Sequence, residues 1–299
     1  MTEAAWRASW QRLRLQGAPV LVVLLAVLLL WYAGAWAMNA QGAIERVLPA
    51  DQPWGWQDLL AATLSMERPV LPAPHQVAAD LWASLTGWPI DSPRNLLFHV
   101  AVTGESTLWG FVMGTLLGLL LAVAIVHSRT LDRALLPWIV ASQTVPVLAI
   151  APIVLVILGS LGFSGVAPKA VIAMYLCFFP VTVAMVQGLR SPQRIETEML
   201  YTYAASRWQA LWLLRLPAAL PFLFPALRVG IAAGLVGAMV AELPTGAQAG
   251  LGARLLTGSY YGNTVQIWSA LVMSALLGLA LTAAVAGVER LVLQNRRQA

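Results

Sequence analysis

The chain contains little charge and a single cysteine. Of its 299 residues only 10% are charged, whereas 59% are hydrophobic. A soluble domain has about 25% charged residues, so this composition indicates a membrane protein. The one cysteine, Cys177, excludes an intrachain disulfide and a cysteine-based metal site. The net charge of +5 does not predict a nucleic-acid partner, because basic residues in membrane proteins select the cytoplasmic side.

Motifs of nucleotide-hydrolysing and membrane-embedded enzymes are also missing. The sequence has no phosphate-binding loop G-x-x-x-x-G-K-[ST], no H-E-x-x-H zinc motif and no credible G-x-S-x-G nucleophile elbow. His75, His99 and His127 are too far apart to indicate a metal site, and we expect them at membrane interfaces. The sequence therefore predicts no catalytic residue, metal site or resident cofactor in this chain.

Long apolar runs are what the chain does have. Residues 18–38 are almost unbroken Leu, Val and Ala, enough to cross a hydrocarbon core of about 30 Å, and are interpreted as an anchor helix rather than a signal peptide. Further apolar regions lie at about residues 99–126, 135–161, 168–189, 217–241 and 265–293. The sequence thus predicts an all-α integral membrane protein with six transmembrane helices, spans one to six.

The segment 39–98 separates the anchor helix from the remaining spans, which form a core over residues 99–293. It is polar, rich in Trp and Pro, and has no run of span length. Leu71-Pro-Ala-Pro74 followed by an amphipathic stretch over 76–85 predicts an extended entry into a short helix that lies at the interface. We expect this segment outside the cytoplasm.

The basic residues orient the spans. Six spans put both termini on one side; if that side is the cytoplasm, the tails 1–17 and 294–299 and the loop 190–216 are inside. Twelve of the 18 basic residues are then inside, and Arg228 lies within a span. The other five are outside: Arg46, Arg68, Arg94, Lys169 and Arg254. This bias predicts cytoplasmic termini and a cytoplasmic loop 190–216.

Small residues and prolines recur within the spans. Gly110, Gly114 and Gly118 lie one turn apart in span two, a spacing that lets helix backbones pack closely in lipid. Three prolines are predicted to interrupt spans three and four: Pro146, Pro152 and Pro180. Close packing beside breaks suggests a moving bundle with a path through it.

Polar residues within the spans are candidates for that path. They are Gln143, Thr144, Tyr175 and Thr182, with Glu242 at the outer mouth. Such groups mark translocation pathways, although many only bond neighbouring helices. Glu105, near the outer end of span two, is interpreted as hydrated rather than as a substrate contact. Arg228 is expected to snorkel to the interface or to pair with an acidic residue, rather than to contact substrate.

Residues 190–216, between spans four and five, form a charged and aromatic segment that we call the knuckle. Ser206 and Gln209 fit the S-x-x-Q capping box, which predicts a helix start. Ser191-Pro192 predicts an earlier start and Leu216-Pro217 a stop, giving a helix-turn-helix. Its arginines, tyrosines and tryptophans suit a protein contact, although a cytoplasmic loop that rests on lipid headgroups has a similar composition.

The knuckle resembles the cytoplasmic E-A-A-x-x-x-G loop of ABC importer permeases of the binding-protein-dependent, type I family. Glu198 matches the acidic position and Ala204 replaces the glycine six residues later, with Met199 and Leu200 in place of the two alanines. Segments at matching order elsewhere include Gln143-Thr-Val-Pro146, Phe178-Phe-Pro180 and Glu242-Leu-Pro-Thr-Gly246. The sequence is most similar to the sulfonate, taurine, nitrate and pyrimidine-precursor branch.

This resemblance implies a coupling helix in the knuckle and a place in the bacterial inner membrane. The implied partners are two ATP-binding subunits, which bind ATP and Mg²⁺, a second identical or homologous permease subunit, and an external solute-binding protein. The implied coupling residues are Glu196, Glu198, Ala204, Ser206, Arg207, Trp208 and Gln209.

The implied function is uptake of a small organic solute. A pyrimidine-like or other heterocycle is favoured, and a sulfonate, taurine or nitrate is the alternative. A secondary transporter that works without an ATPase, or a membrane-embedded enzyme, is the alternative of a different class.

Overall fold

The computed structural model describes residues 17–46, 48, 53–244 and 249–297, with side chains described up to residue 294. Most of the predicted tail 1–17, most of the tail 294–299, and Thr245 and Gly246 lie outside the described residues or side chains. All regular secondary structure in the described part is helical, as the sequence predicts. The chain divides into two units: residues up to 87 with 257–269, and residues 88–256 with those from 270 onward.

The first unit contains α1 (Ala18–Arg46), α2 (Trp56–Leu64) and α3 (Pro74–Thr86). Helix α1 continues past the predicted end of the anchor at Met38. Its buried Asn39 side chain donates to the Leu71 carbonyl at 2.7 Å and accepts from the Val70 amide at 2.6 Å, which holds the segment before α3 against α1. Helix α3 begins at Pro74, where the missing proline N–H costs nothing, and includes the predicted amphipathic stretch.

The second unit contains α4 (Leu96–His127), α5 (Arg129–Ser142), α6 (Val147–Ser160), α7 (Val166–Leu189), α8 (Arg194–Thr202), α9 (Arg207–Ala210) and α10 (Leu216–Ala241). The residues of α11 (Leu251–Tyr260) and α12 (Thr264–Arg297) are divided between the units. The Asn95 side chain caps α4 by accepting from the Leu97 amide at 2.8 Å. Ser128 ends α4 and caps α5 through the Leu131 amide, at 3.4 Å.

Helix α7 packs along both α4 and α10. A Cβ atom at Gly114 would lie 2.8 Å from the Cβ of Cys177, and one at Gly118 would lie 2.9 Å from the carbonyl oxygen of Phe178. Both distances are shorter than a normal contact, so α4 and α7 need glycine where they meet. The predicted small-residue packing face of span two is confirmed.

The region of predicted span three is sharply bent. Helices α5 and α6 meet at 102° across a break that contains Pro146, the N-cap of α6. Pro152 and Pro180 lie inside α6 and α7. The prediction that all three prolines interrupt spans is therefore correct only for Pro146. The packing of α7 against two neighbours accounts for its continuity through Pro180, because neighbouring helices hold a membrane helix together at a proline.

Five helical segments in the described residues are long and apolar enough to cross a membrane: α1, α4, α7, α9 through α10, and α12. The bent α5–α6 pair makes six if it is one span. Arg228 of α10 donates to the Glu289 carboxylate of α12, so of its two predicted alternatives the structure shows the ion pair. The structure is thus that of an all-helical protein with several spans, and the count of six stays a prediction.

Candidate functional site

The first helix of the knuckle starts later than the sequence predicts. Helix α8 begins at Arg194, and the Gln193 amide before it donates to the Glu196 carboxylate at 2.7 Å. The predicted start at Ser191-Pro192 is wrong. The Glu196 side chain satisfies the free amide of Gln193, and this bond fixes Gln193 as the N-cap.

The turn between α8 and α9 depends on Ala204. It has a φ of 52°, the one positive φ of a non-glycine residue in the described part of the chain. The Ala204 amide donates to the Tyr201 carbonyl at 2.9 Å, and the Ala205 amide donates to the Leu200 carbonyl at 3.1 Å. These two bonds form a Schellman motif, whose left-handed position usually holds glycine. The glycine position of the E-A-A-x-x-x-G pattern is therefore a left-handed turn residue here.

A second capping box starts α9, as predicted. The Gln209 amide donates to the Ser206 hydroxyl at 3.3 Å, and the Ser206 amide donates to the Gln209 side-chain oxygen at 2.7 Å. The predicted stop at Leu216-Pro217 is wrong, because a π-helical turn over Leu211–Arg215 continues α9 into α10. In this turn the Leu216 amide donates to the Leu211 carbonyl, five residues back, and such a wider turn can accommodate the ring and the missing N–H of Pro217. The knuckle is consequently continuous with a candidate membrane span.

The knuckle has exposed aromatic side chains. Tyr201 and Tyr203 are 84% and 78% exposed, and Trp208 and Trp212 are 61% and 67% exposed. The Trp208 ring also stacks on His127 at the end of α4, with ring centroids 5.0 Å apart. Exposed Tyr and Trp side chains of this kind are enriched at protein interfaces. This surface fits a protein partner.

A basic cavity of about 620 Å³ adjoins these aromatic residues. Arg129, Arg207 and Arg215 line it. Among the described residues that line it there is no carboxylate, and the nearby Glu198 pairs instead with Arg194 at 2.6 Å on the exposed side of α8. The positive charge of the cavity is complementary to an acidic partner surface.

Comparison with known proteins identifies the kind of protein that carries this knuckle. Residues 114–298 match the family described as binding-protein-dependent transport system inner membrane component. The chain belongs to this family. The membership of the permease family that the knuckle predicts is therefore confirmed.

Several relatives of this permease are similar over most of their length. The riboflavin transport system permease protein RibX of Chloroflexus aurantiacus is 34% identical over 225 residues, which are 75% of this chain and 80% of the relative. The formylaminopyrimidine transport permease protein ThiX of Halalkalibacterium halodurans is 32% identical over 232 residues, 77% and 87% of the two chains. The taurine transport system permease protein TauC of Escherichia coli is 27% identical over 230 residues, 77% and 82%.

The predicted path residues of the permease fall in two places. Gln143 and Thr144 are exposed at the α5–α6 bend, and the Tyr175 hydroxyl donates to the Ser142 carbonyl beside it. Thr182 is buried, and its hydroxyl donates to the Phe178 carbonyl of its own helix at 2.8 Å. The structure thus brings three of these residues to the bend and leaves Thr182 apart. The role of all four in a path stays a prediction.

Glu242, predicted at the outer mouth, is fully buried at the end of α10, and its part in a path stays a prediction. Its carboxylate accepts from the Thr103 hydroxyl of α4 at 2.9 Å and from the Gly252 amide at 2.9 Å. It also pairs with the Lys169 ammonium of α7 at 3.3 Å. The carboxylate therefore connects three helices and the segment that begins α11.

Sequence reasoning missed two residues of this cluster. Lys169, counted among the outer basic residues, is buried and also donates to the Ala249 carbonyl at 2.7 Å. His99, expected at an interface, is buried and accepts from the Gly250 amide at 3.0 Å. The available signal was Gly250-Leu-Gly252: a Cβ at Gly250 would fall on the Glu242 carboxylate, so glycine is needed for this close approach.

Proposed function

We propose that this permease is the membrane-spanning subunit of an ATP-driven importer, and that its knuckle docks on ATP-binding subunits. The observation that carries the proposal is the form of the knuckle. It is built from two capped helices and one left-handed turn, and it continues into α10 through the π-helical turn. A displacement at Trp208 would therefore move a membrane helix as a rigid body.

The proposed coupling residues have two roles. Glu196, Ala204, Ser206 and Gln209 set the shape of the knuckle through its caps and turn. Arg207 and Trp208 are exposed and would contact the partner directly. Glu198 would exchange its exposed ion pair with Arg194 for a contact with the partner, because surface pairs of this kind contribute little stability.

The proposed assembly contains two permease subunits, identical or homologous, two ATP-binding subunits and an external solute-binding protein. The ATP-binding subunits would bind ATP and Mg²⁺, since this sequence has no phosphate-binding loop. The permease would lie in the inner membrane of a bacterium, with both termini and the knuckle facing the cytoplasm. The family description as an inner membrane component and the distribution of basic residues support this arrangement.

We favour a small heterocycle as the transported solute. The relatives whose names specify riboflavin and formylaminopyrimidine are 34% and 32% identical to this chain, against 27% for the relative named for taurine. A sulfonate, taurine or nitrate is the alternative solute. The names of these relatives as transport permeases argue against an enzyme.

Co-purification and thiol labelling test the proposal. The permease is co-expressed with its ATP-binding subunits and is expected to elute with them in equal amounts, with uptake into proteoliposomes that requires hydrolysable ATP. Cys177 is buried, so Thr202→Cys adds an accessible thiol on the knuckle. An impermeant maleimide should label it in inverted vesicles and not in intact cells. Labelling from outside, or ATP-independent uptake by the permease alone, would contradict the proposal.

A further inference from the structure

An apolar cavity of about 430 Å³ opens beside α4, toward the end opposite the knuckle. Trp109 and Met113 of α4, Leu158 of α6 and Phe163 line it together with the first turns of α7. Small-molecule sites in proteins are commonly about 300–1,000 Å³ and mostly apolar, with a few polar groups that orient the ligand. In size and lining this cavity is that of a ligand site.

Glu105 is the one charged residue among the described residues that line this cavity. It follows Leu96 by nine positions in a continuous helix, which places it about 14 Å from the start of α4 and inside a candidate span. Its side chain is exposed, and within the described residues it has no hydrogen-bond or ion-pair partner. If α4 crosses the membrane, as its length and composition allow, a charged carboxylate there is costly to expose to lipid, so Glu105 would face water, a ligand or another subunit.

The nearest basic residue along the lining helix α7 does not neutralise Glu105. Lys169 is buried and is held by the Glu242 carboxylate at 3.3 Å and by the Ala249 carbonyl at 2.7 Å. No arginine or lysine is among the described residues that line the cavity. The cavity is therefore acidic, and an anion such as a sulfonate or nitrate would be repelled there.

The aromatic lining favours a flat ligand. Trp109 and Phe163 are 57% and 53% exposed, so their rings are available to stack on a ligand ring. A ring N–H or an exocyclic amino group could donate to Glu105, and hydrogen bonds to an ionised group are stronger than those between neutral groups. The ligand chemistry that satisfies both features is a heteroaromatic ring with N–H donors.

We propose that Glu105 and Trp109 form a substrate-binding site that selects heteroaromatic N–H donors and rejects anions. The inference rests on the proposed transport function, narrows its small heterocycle to a heteroaromatic N–H donor, and adds two selecting residues. Tyr175, beside the α5–α6 bend, follows Val171 of the cavity by four positions on α7, about 6 Å along the helix. A solute that leaves this site toward the knuckle would therefore meet the polar bend next.

Equilibrium dialysis with radiolabelled probes tests the site. The full-length permease, assembled with its ATP-binding subunits in nanodiscs, is dialysed against riboflavin, cytosine and taurine. Riboflavin or cytosine is expected to bind saturably and taurine is not. Glu105→Gln and Trp109→Leu should each weaken the binding by about tenfold or more, because a hydrogen bond to a charged group and a stacking surface are lost.

Matched substitutions outside the cavity serve as controls. Glu67→Gln and Trp138→Leu change exposed residues that do not line it and should leave affinity unchanged. The inference is overturned if taurine binds as well as the heteroaromatic probes, if none of the probes binds, or if the two cavity variants keep wild-type affinity. It is also overturned if Glu105→Gln only separates the permease subunits, as judged by light scattering, which would make Glu105 an interface residue.

Failure of the proposed transport function gives a different result. In that case the chain does not co-elute with ATP-binding subunits, whatever the dialysis of the permease alone shows. Intact co-elution and ATP-dependent uptake together with unchanged binding in the cavity variants would refute only the assignment of the site.

Discussion

Lys169 and Glu242 form a buried ion pair, with the ammonium 3.3 Å from the carboxylate and side chains only 8% and 0% exposed. Lys169 lies in α7 and Glu242 is the C-cap of α10, 73 positions apart in the sequence. The carboxylate also accepts from Thr103 and Gly252, so most of its hydrogen-bonding capacity is used within the protein. The pair therefore fixes the end of α10 against α7 and α4.

Removing one partner of this pair should destabilise the permease strongly. Lys169→Met leaves the Glu242 carboxylate buried without its counter-ion, which is expected to cost about 3–5 kcal/mol of unfolding free energy. Thermal unfolding in detergent, followed by tryptophan fluorescence, measures the loss. The double variant Lys169→Met/Glu242→Gln should recover part of it, because the amide oxygen can still accept from Gly252.

Two comparisons check the origin of that effect. Arg194→Ala breaks the exposed pair with Glu198, for which about 0.3–0.5 kcal/mol is expected. A double variant whose loss equals the sum of the two single losses would show that Lys169 and Glu242 do not interact energetically.

Ala204→Gly should stabilise the knuckle. The left-handed conformation costs a non-glycine residue roughly 1–2 kcal/mol, which glycine removes. Glycine also stabilises the unfolded chain through its higher entropy, by a somewhat smaller free energy, so we expect a net gain of about 0.5 kcal/mol in stability. Hydrogen exchange of the amides at positions 204 and 205 should slow accordingly. Ala210→Gly, the same change inside α9, should instead destabilise the helix. Faster exchange in Ala204→Gly would contradict the strained-turn interpretation.

Gly114→Val should disrupt the contact between α4 and α7. Its Cβ would lie 2.8 Å from the Cβ of Cys177, and overpacking of this kind costs about 1–3 kcal/mol. The midpoint of thermal unfolding is expected to fall. Gly159→Val is the matched control, since no atom lies within 4 Å of a Cβ built at Gly159. Equal losses in both variants would attribute the effect to helix propensity rather than to packing.

Features set by local sequence were predictable, and features set by helix packing were not. The apolar spans and the Ser206–Gln209 capping box follow from length, periodicity and spacing alone. The Lys169–Glu242 pair depends on how α7 meets α10, which no local pattern encodes. Continuation through Pro217 depends on a π-helical turn, whose extra residue per turn leaves no signature in composition.

The conformation of Ala204 is an intermediate case. Its identity gives no reason to expect a positive φ, because alanine prefers the right-handed region. Only the alignment of Ala204 with the glycine of the E-A-A-x-x-x-G pattern pointed to a special backbone position. The structure explains that position through the two bonds of the Schellman motif.

Trp208→Ala should uncouple ATP hydrolysis from uptake if the knuckle is the docking element. The indole is 61% exposed and stacks on His127 at the end of α4, so it can both contact a partner and transmit its movement to the bundle. In proteoliposomes we expect uptake per ATP hydrolysed to fall at least fivefold, with normal membrane insertion. Glu198→Ala should act in the same direction.

Trp138→Ala, which removes a 77% exposed indole from α5, is the control for loss of a surface tryptophan. Unchanged coupling in both knuckle variants would exclude Trp208 and Glu198 from the contact, and the basic cavity lined by Arg207 and Arg215 would then be the remaining docking feature of the knuckle.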